Sequence, residues 1–347
     1  MKVKAESFHI YEYILFSVLT AATLCLCVCM GSVAIPVTDT IRAIWNSIWK
    51  LPIPDGVSAP IIMSVRLPRV IAVALTGASL SLCGASMQGL LRNPLADGST
   101  LGVSSGASLG AVFAILFNIN FPALPFAGTM IMATLFAFGS LALILSVSYA
   151  ADRLLSTHTI ILMGIVFSMF ASSLLNLLIA FSGEKLKSIT FWTMGSLAGS
   201  GYENDLVLLS ALVLCGGVLL FHARELNAFS LGENAAKHIG VNVKRVKLTV
   251  MIAVSVLIGV CVSVGGSIGF VGLTIPHIAR ILVGANHKRL LPASMFLGAI
   301  FLMLADLLAR TILNPIELPI GVVTSLVGAV VFVLVFFRSR KKRGSAC

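Results

Sequence analysis

The sequence predicts an all-α polytopic membrane protein of about ten transmembrane helices at roughly 20 apolar residues per span, with the N and C termini cytoplasmic. Three observations carry that reading. First, 58% of the 347 residues are apolar, 11% are charged and the mean hydropathy is +1.03, whereas about a quarter of a soluble protein's residues are charged. Second, the apolar runs leave no room for a separate soluble domain, so residues 1–347 form a single transmembrane domain. Third, the net charge of +11 is gathered at the chain ends and in short loops, as the positive-inside rule requires, and not on a surface suited to nucleic acid.

The elements follow in order. The first span is Tyr11–Ala34; its Ser32-Val33-Ala34 end resembles a signal-peptidase site, but the run from Ile14 is long enough to span and reads as uncleaved. A segment with Trp45 and Trp49 follows, read as an interfacial excursion with an amphipathic helix near Thr38–Trp49. The next spans are Leu67–Leu91, Ser99–Phe117, Leu124–Ala150 and His158–Phe181. A polar stretch, Ser182–Asn204, precedes Asp205–His222 and the most polar loop, residues 223–246. The last four spans are Lys247–Gly265, Ile268–Val283, Pro292–Thr311 and Pro319–Phe337. Most of the 24 lysines and arginines fall on the terminus side of this arrangement, which makes that side cytoplasmic. The basic tail, residues 338–347, is a topology anchor on anionic lipid.

Small residues recur every fourth position from Arg66 to Ala114: Gly77, Ser81, Ala85 and Gly89, then Gly102, Gly106 and Gly110. With no hydrophobic force between helices in lipid, such stripes pack backbones closely, and Gly77, Gly84, Gly102, Gly106 and Gly110 are the expected packing glycines. Gly77, Ser81, Gly84 and Pro94 recur as Gly259, Ser263, Gly266 and Pro276, each displaced by 182 residues. The two copies enter the membrane from opposite sides, which suits an inverted repeat of a transporter. Cys25, Cys27, Cys29, Cys83, Cys215 and Cys261 lie in apolar runs without metal-ligand spacing, so no metal site is expected.

In the polar loop, Gly232 and Gly240 bracket a short helix with Glu233 at its positive end and Lys237 and His238 near its negative end. Arg66 and Arg69 read as exposed cations at the outer end of one helix, and Arg310 as another on the same face. Asp306 lies four residues before Arg310, so an ion pair is expected. Glu317 reads as a helix N-cap, His277 as a packed histidine and His287 as loop charge. No GxxxxGK[ST] occurs, so the chain has no phosphate-binding loop of that type.

The motifs RLPR, GxxLxxxGxxxQxxxxNPLA, LGxSxGAxxG, GFVGLxxPHIAR, DLLAR and ELPIGVVT occur in this order from Arg66 onward. Together they resemble the iron-siderophore and vitamin B12 permease family, the transmembrane subunits of type II ABC importers. The resemblance implies a second permease copy, either a homodimer or a heterodimer with a paralogue. It also implies two ATPase subunits that carry ATP and magnesium, an extracytoplasmic binding protein, and no cofactor on this chain. It makes Leu231, Gly232, Glu233, Ala235, Ala236 and Gly240 the coupling element, and Arg66, Arg69 and Arg310 the docking set for the binding protein. The gate and pathway map onto Ser156, Thr157 and His158, the last replacing a small hydroxyl residue, and onto Gln88 and Asn93 of the second motif. The implied cargo is a bulky iron chelate, a ferric siderophore first, with haem or cobalamin as alternatives. An ion-coupled carrier would be expected to need more buried acids, a membrane enzyme a convergent catalytic set, and a channel no ATPase.

Overall fold

The computed structural model describes residues 8–31, 35–49, 59–98, 102–119, 127–153 and 156–344. Its helices are α1 (Ile10–Cys29), α2 (Val37–Ile48), α3 (Ala59–Leu90), α4 (Val103–Leu116), α5 (Ala127–Ala151), α6 (Thr157–Ala180) and α7 (Leu186–Thr193). They continue as α8 (Tyr202–Phe221), α9 (Ala223–Phe229), α10 (Glu233–His238), α11 (Val243–Gly265), α12 (Val271–Val283), α13 (His287–Thr311) and α14 (Ile320–Gly344). Among the described residues seven helices are long and apolar enough to span, and α4, α12 and the apolar part of α14 are three shorter ones. In a bilayer the helix satisfies every backbone polar group internally, which is why apolar runs of this length fold this way. The predicted ends at Ala34, Ser99 and Leu124, and Leu155 of the gate link, lie outside the described residues.

Helix α2 displays Val37, Ile41, Trp45 and then Trp49 as one exposed stripe at helical spacing and buries Thr40 and Ala43, which is the amphipathic element expected there. Helix α3 departs from expectation. It begins at Ala59 and passes through a π-type turn, Ile62–Arg66, before Pro68. Pro68 has no N–H to continue the ladder, and the widened turn absorbs the missing bond, so the proline marks an interior position and not a start. Arg66 and Arg69 therefore sit inside a helix.

Helix α3 is the axis of the bundle. It runs antiparallel to α13, because Arg69 meets Asp306, Gly77 meets Gly298 and Gly89 meets His287. It also runs antiparallel to α11: Cys83 Sγ donates to the Val254 carbonyl, while Thr76 shares a small cavity with Cys261 and Val262. Gly84 rests on the backbone of Gly272 in α12, where a Cβ would collide with main chain. A methyl group at such a contact costs about 1–3 kcal/mol through overpacking. Gly106 and Gly110 do the same against Ser140, Phe136 and the Met132 carbonyl of α5.

The pairing pattern repeats. α3 packs on α13, α4 on α5 and on α6, and α12 on α3; correspondingly α11 packs on α5, α12 on α13 and on α14, and α4 on α11. Exchanging α3–α6 for α11–α14 maps each contact onto another. The two short helices share a further feature. α4 has 14 residues and α12 has 13, about 20 Å each at 1.5 Å per residue, too short for a ~30 Å hydrocarbon core. Each starts from a left-handed residue, Gly102 (φ +66°) and Phe270 (φ +67°). Phe270 holds that conformation against Gly328 of α14.

Candidate coupling and gating site

The loop after α8 folds back as α9 and α10. Gly232 (φ +114°) and Gly240 (φ +88°) flank α10 in conformations that side chains disfavour, so the bracketing glycines are a backbone requirement. Ala236 is fully buried under the helix, while Leu231 and Ile239 at its two ends are 72% and 63% exposed. Asn234, Lys237, His238 and Gly240 are exposed as well, and Ala235 is half-buried. A short helix with two exposed aliphatic side chains is thus presented on the cytoplasmic side.

Glu233 ties this helix to the bundle. Its Oε1 accepts from the Thr157 hydroxyl at 3.0 Å and pairs with Lys247 Nζ at 2.7 Å. Lys247 is 1% exposed, one turn into α11. Thr157 is the first residue of α6, and Ser156 caps that helix by accepting from the Thr159 amide; the Ser156 amide in turn donates to Asp152 Oδ2 just beyond α5. One carboxylate therefore joins α10 to the starts of α6 and α11. The link meets the predicted gate at Thr157. His158 points outward and is exposed, and takes no part.

Gln88 and Asn93, expected along the pathway, are each held by hydrogen bonds. Gln88 is 4% exposed; its amide donates to the Gly272 and Leu273 carbonyls and its oxygen accepts from Arg280. It fastens α3 to the first turn of α12. Asn93 closes the corner after α3 by accepting from the Leu95 amide at 3.0 Å. His287, expected as loop charge, is buried: its Nδ1 and backbone amide both meet Asn227 Oδ1 at 2.8 Å, which binds α9 to α13.

On the outer side the arginines are not exposed. Arg66, Arg69 and Arg310 are 6%, 7% and 3% exposed. Arg69 donates to Asp306 Oδ1 through Nε (3.1 Å) and a terminal nitrogen (2.9 Å), and to Glu317 at 2.8 Å. Arg310 pairs with Asp306 Oδ2 at 3.2 Å, as expected, and donates to the Cys27 carbonyl. Arg66 donates to the Val28 and Cys29 carbonyls, both at 3.1 Å. Glu317 serves as the second acid for Arg69, where a helix cap was expected. The set closes the outer end of α1 onto α3 and α13. The missed signals were Lys247, a cation at the head of an apolar run, and Arg280 within GFVGLxxPHIAR.

A groove of about 230 Å³ is lined by Ser104, Ser105 and Ser108 of α4, Ser172 of α6, Thr193 of α7 and Ser267. Its polar groups are hydroxyls without fixed charge.

Three kinds of comparison agree with this geometry. The profile of the FecCD transport family matches residues 19–338. An uncharacterised ABC transporter permease of Bacillus subtilis is 42% identical over 342 residues, 98% of this chain and 97% of the relative. The molybdate import permease of Haemophilus influenzae is 37% identical over 335 residues, covering 95% and 97%. A probable iron chelatin permease of Helicobacter pylori is 41% identical over 285 residues, covering 81% and 83%. Among solved structures, a transporter described as of metal-chelate type, in an inward-facing conformation, superposes with a TM-score of 0.83. It is 35% identical and covers 95% of this chain and 100% of its own.

Proposed function

The chain belongs to the FecCD transport family and is the multi-pass permease of an ABC importer of the cytoplasmic membrane, and from that premise we propose how it couples and what it carries. ABC importer permeases work with ATPase subunits and a binding protein. We propose that two copies of this chain form the pathway at their two-fold axis, or one copy with a paralogue. Two ATPase subunits, which hold ATP and magnesium, receive Leu231, Ile239 and the exposed face of α10. The permease performs no covalent chemistry itself. A binding protein docks on the outer side, and there the exposed Arg42 and Lys187 present charge while Arg66, Arg69 and Arg310 hold the floor beneath. Charge at such a face steers docking more than it adds affinity.

The observation that carries the coupling reading is the Glu233 bridge to Thr157 and Lys247. When the ATPases close, α10 moves, and the carboxylate passes the displacement to the starts of α6 and α11 together. The gate at Ser156–Thr157 then opens or shuts as one unit. Motion so transmitted converts ATP closure into alternating access.

The cargo is a bulky metal complex, a ferric siderophore, with haem or cobalamin as alternatives. The hydroxyl-lined groove supports an oxygen-rich cargo: it offers hydrogen bonds without a fixed charge, favourable enough to enter and weak enough to leave. Molybdate is a second reading, favoured by the relative that shares 37% identity along nearly its whole length.

The test is ATP hydrolysis and cargo uptake in proteoliposomes with the ATPase partner and binding protein. The binding protein is expected to stimulate turnover, and Glu233→Arg to abolish uptake while leaving assembly intact. Uptake of a labelled ferric siderophore, unaffected by excess molybdate, supports the chelate. Uptake driven by an ion gradient without ATP contradicts the importer reading.

A further inference from the structure

A second cavity, of about 580 Å³, lies apart from the pathway, between α1, α3, α8 and α13. Its volume falls in the range of ligand sites, ~300–1,000 Å³. Ala74, Ala78 and Ala299 make a small-residue floor, and Phe8, Met295 and Phe296 make apolar walls. Tyr13, His287 and Lys288 lie toward one end, with Lys288 at the rim, while Thr20 lies deeper with its hydroxyl donated to the Phe16 carbonyl. From Lys288 to Ala299 the groove follows eleven steps of α13, about 16 Å at 1.5 Å per residue. That is half of the ~30 Å hydrocarbon core, the depth of one leaflet.

The rim is basic on the cytoplasmic side. The Lys288 side chain is half-buried and has no ion pair or hydrogen bond among the described residues, whereas its neighbour Arg289 is engaged by Glu12. Exposed Arg224 adjoins Ala223, another residue of the groove. Of the nearby acids, Glu12 is engaged with Arg289, and Glu225, next to Arg224, lies 3.7 Å from His222. Basic pockets between helices at the cytoplasmic surface suit anionic headgroups, with roughly 1 kcal/mol gained per lysine or arginine. A cleft one leaflet deep, apolar within and cationic at its mouth, matches the two ends of a single molecule.

We propose that this groove is a binding site for an anionic phospholipid of the cytoplasmic leaflet, with one acyl chain along α13 and the phosphate at Lys288. The purified permease, delipidated and offered phosphatidylglycerol or phosphatidylcholine in turn, is examined by native mass spectrometry. Wild type is expected to retain at least about five-fold more phosphatidylglycerol, which corresponds to ~1 kcal/mol. Lys288→Glu removes the preference, Lys288→Arg keeps it, and Met295→Trp, which fills the groove, lowers retention of both lipids. Lys187→Glu on the opposite side leaves it unchanged. Equal retention of the two lipids by wild type, or a preference that survives Lys288→Glu, overturns the proposal. If Met295→Trp does not fold, the glutamate and arginine variants at Lys288 decide alone.

Discussion

Asp306 and Glu233 are both carboxylates gripped by a buried cation, but their surroundings assign them opposite work. Asp306 is 1% exposed at the outer end of the α3–α13 contact, held by Arg69 and Arg310, which are themselves buried. Its partners lie on long helices that pack along their whole length. Glu233 is half-buried on a helix of six residues whose other side faces the cytoplasm. One acid joins elements that already touch, and the other joins an element that a partner protein can move. An ion pair becomes a transmitting part when one side of it rides on something mobile.

The comparison breaks first at Asp306. Asp306→Ala leaves two buried guanidinium groups close together without their shared acid. Breaking a buried pair in this way costs about 3–5 kcal/mol. The expected result is a large fall in the thermal midpoint in detergent and in purified yield, with uptake lost in proportion to folded protein. Wild-type stability in this variant would show that the outer cluster is not what closes α1 onto α3 and α13.

A smaller and different effect is expected at the inner cluster. Thr157→Val removes one hydrogen bond to a charged group, about 1.5–3 kcal/mol at most, and less here because Glu233 is half-exposed and keeps Lys247. Thermal stability should barely shift. Stimulation of the ATPase by the binding protein should fall severalfold, because α6 is no longer tied to α10. A stability loss with unchanged stimulation would make Thr157 an ordinary cap residue.

Much of this was legible in the sequence. Apolar runs place the spans because lipid leaves the backbone no alternative to helix or closed barrel, and Gly77, Gly84, Gly106 and Gly110 announce contacts that only a bare Cα permits. Gly232 and Gly240 mark α10 because the chain needs positive φ at both. The four matches 182 positions apart do not carry the exchange of contacts between α3–α6 and α11–α14: Gly102 and Phe270, which start the exchanged helices α4 and α12, are 168 positions apart, and Pro94 lies in a corner whereas Pro276 lies inside α12. What stayed hidden depends on where a polar group points. Pro68 resembles a helix start, so Arg66 and Arg69 read as exposed ends, although a π-type turn carries the helix past them. Lys247 sits where a topology signal would put a lysine, and nothing local says that Glu233, fourteen positions earlier, folds back over it. Gln88 and His287 likewise find partners far away in the chain, Arg280 and Asn227, that no spacing reveals.

The most direct test of the coupling account is a charge exchange between Glu233 and Lys247, read as binding-protein-stimulated ATP hydrolysis in proteoliposomes. The single variants Glu233→Lys and Lys247→Glu are each expected to assemble with the ATPase but to run uncoupled. The double variant restores the opposite charges in reversed order and should regain a measurable part of the stimulation, an interaction energy that a double-mutant cycle isolates. If both single variants stay fully coupled, or the exchange is no better than the worse of them, the bridge does not carry the motion.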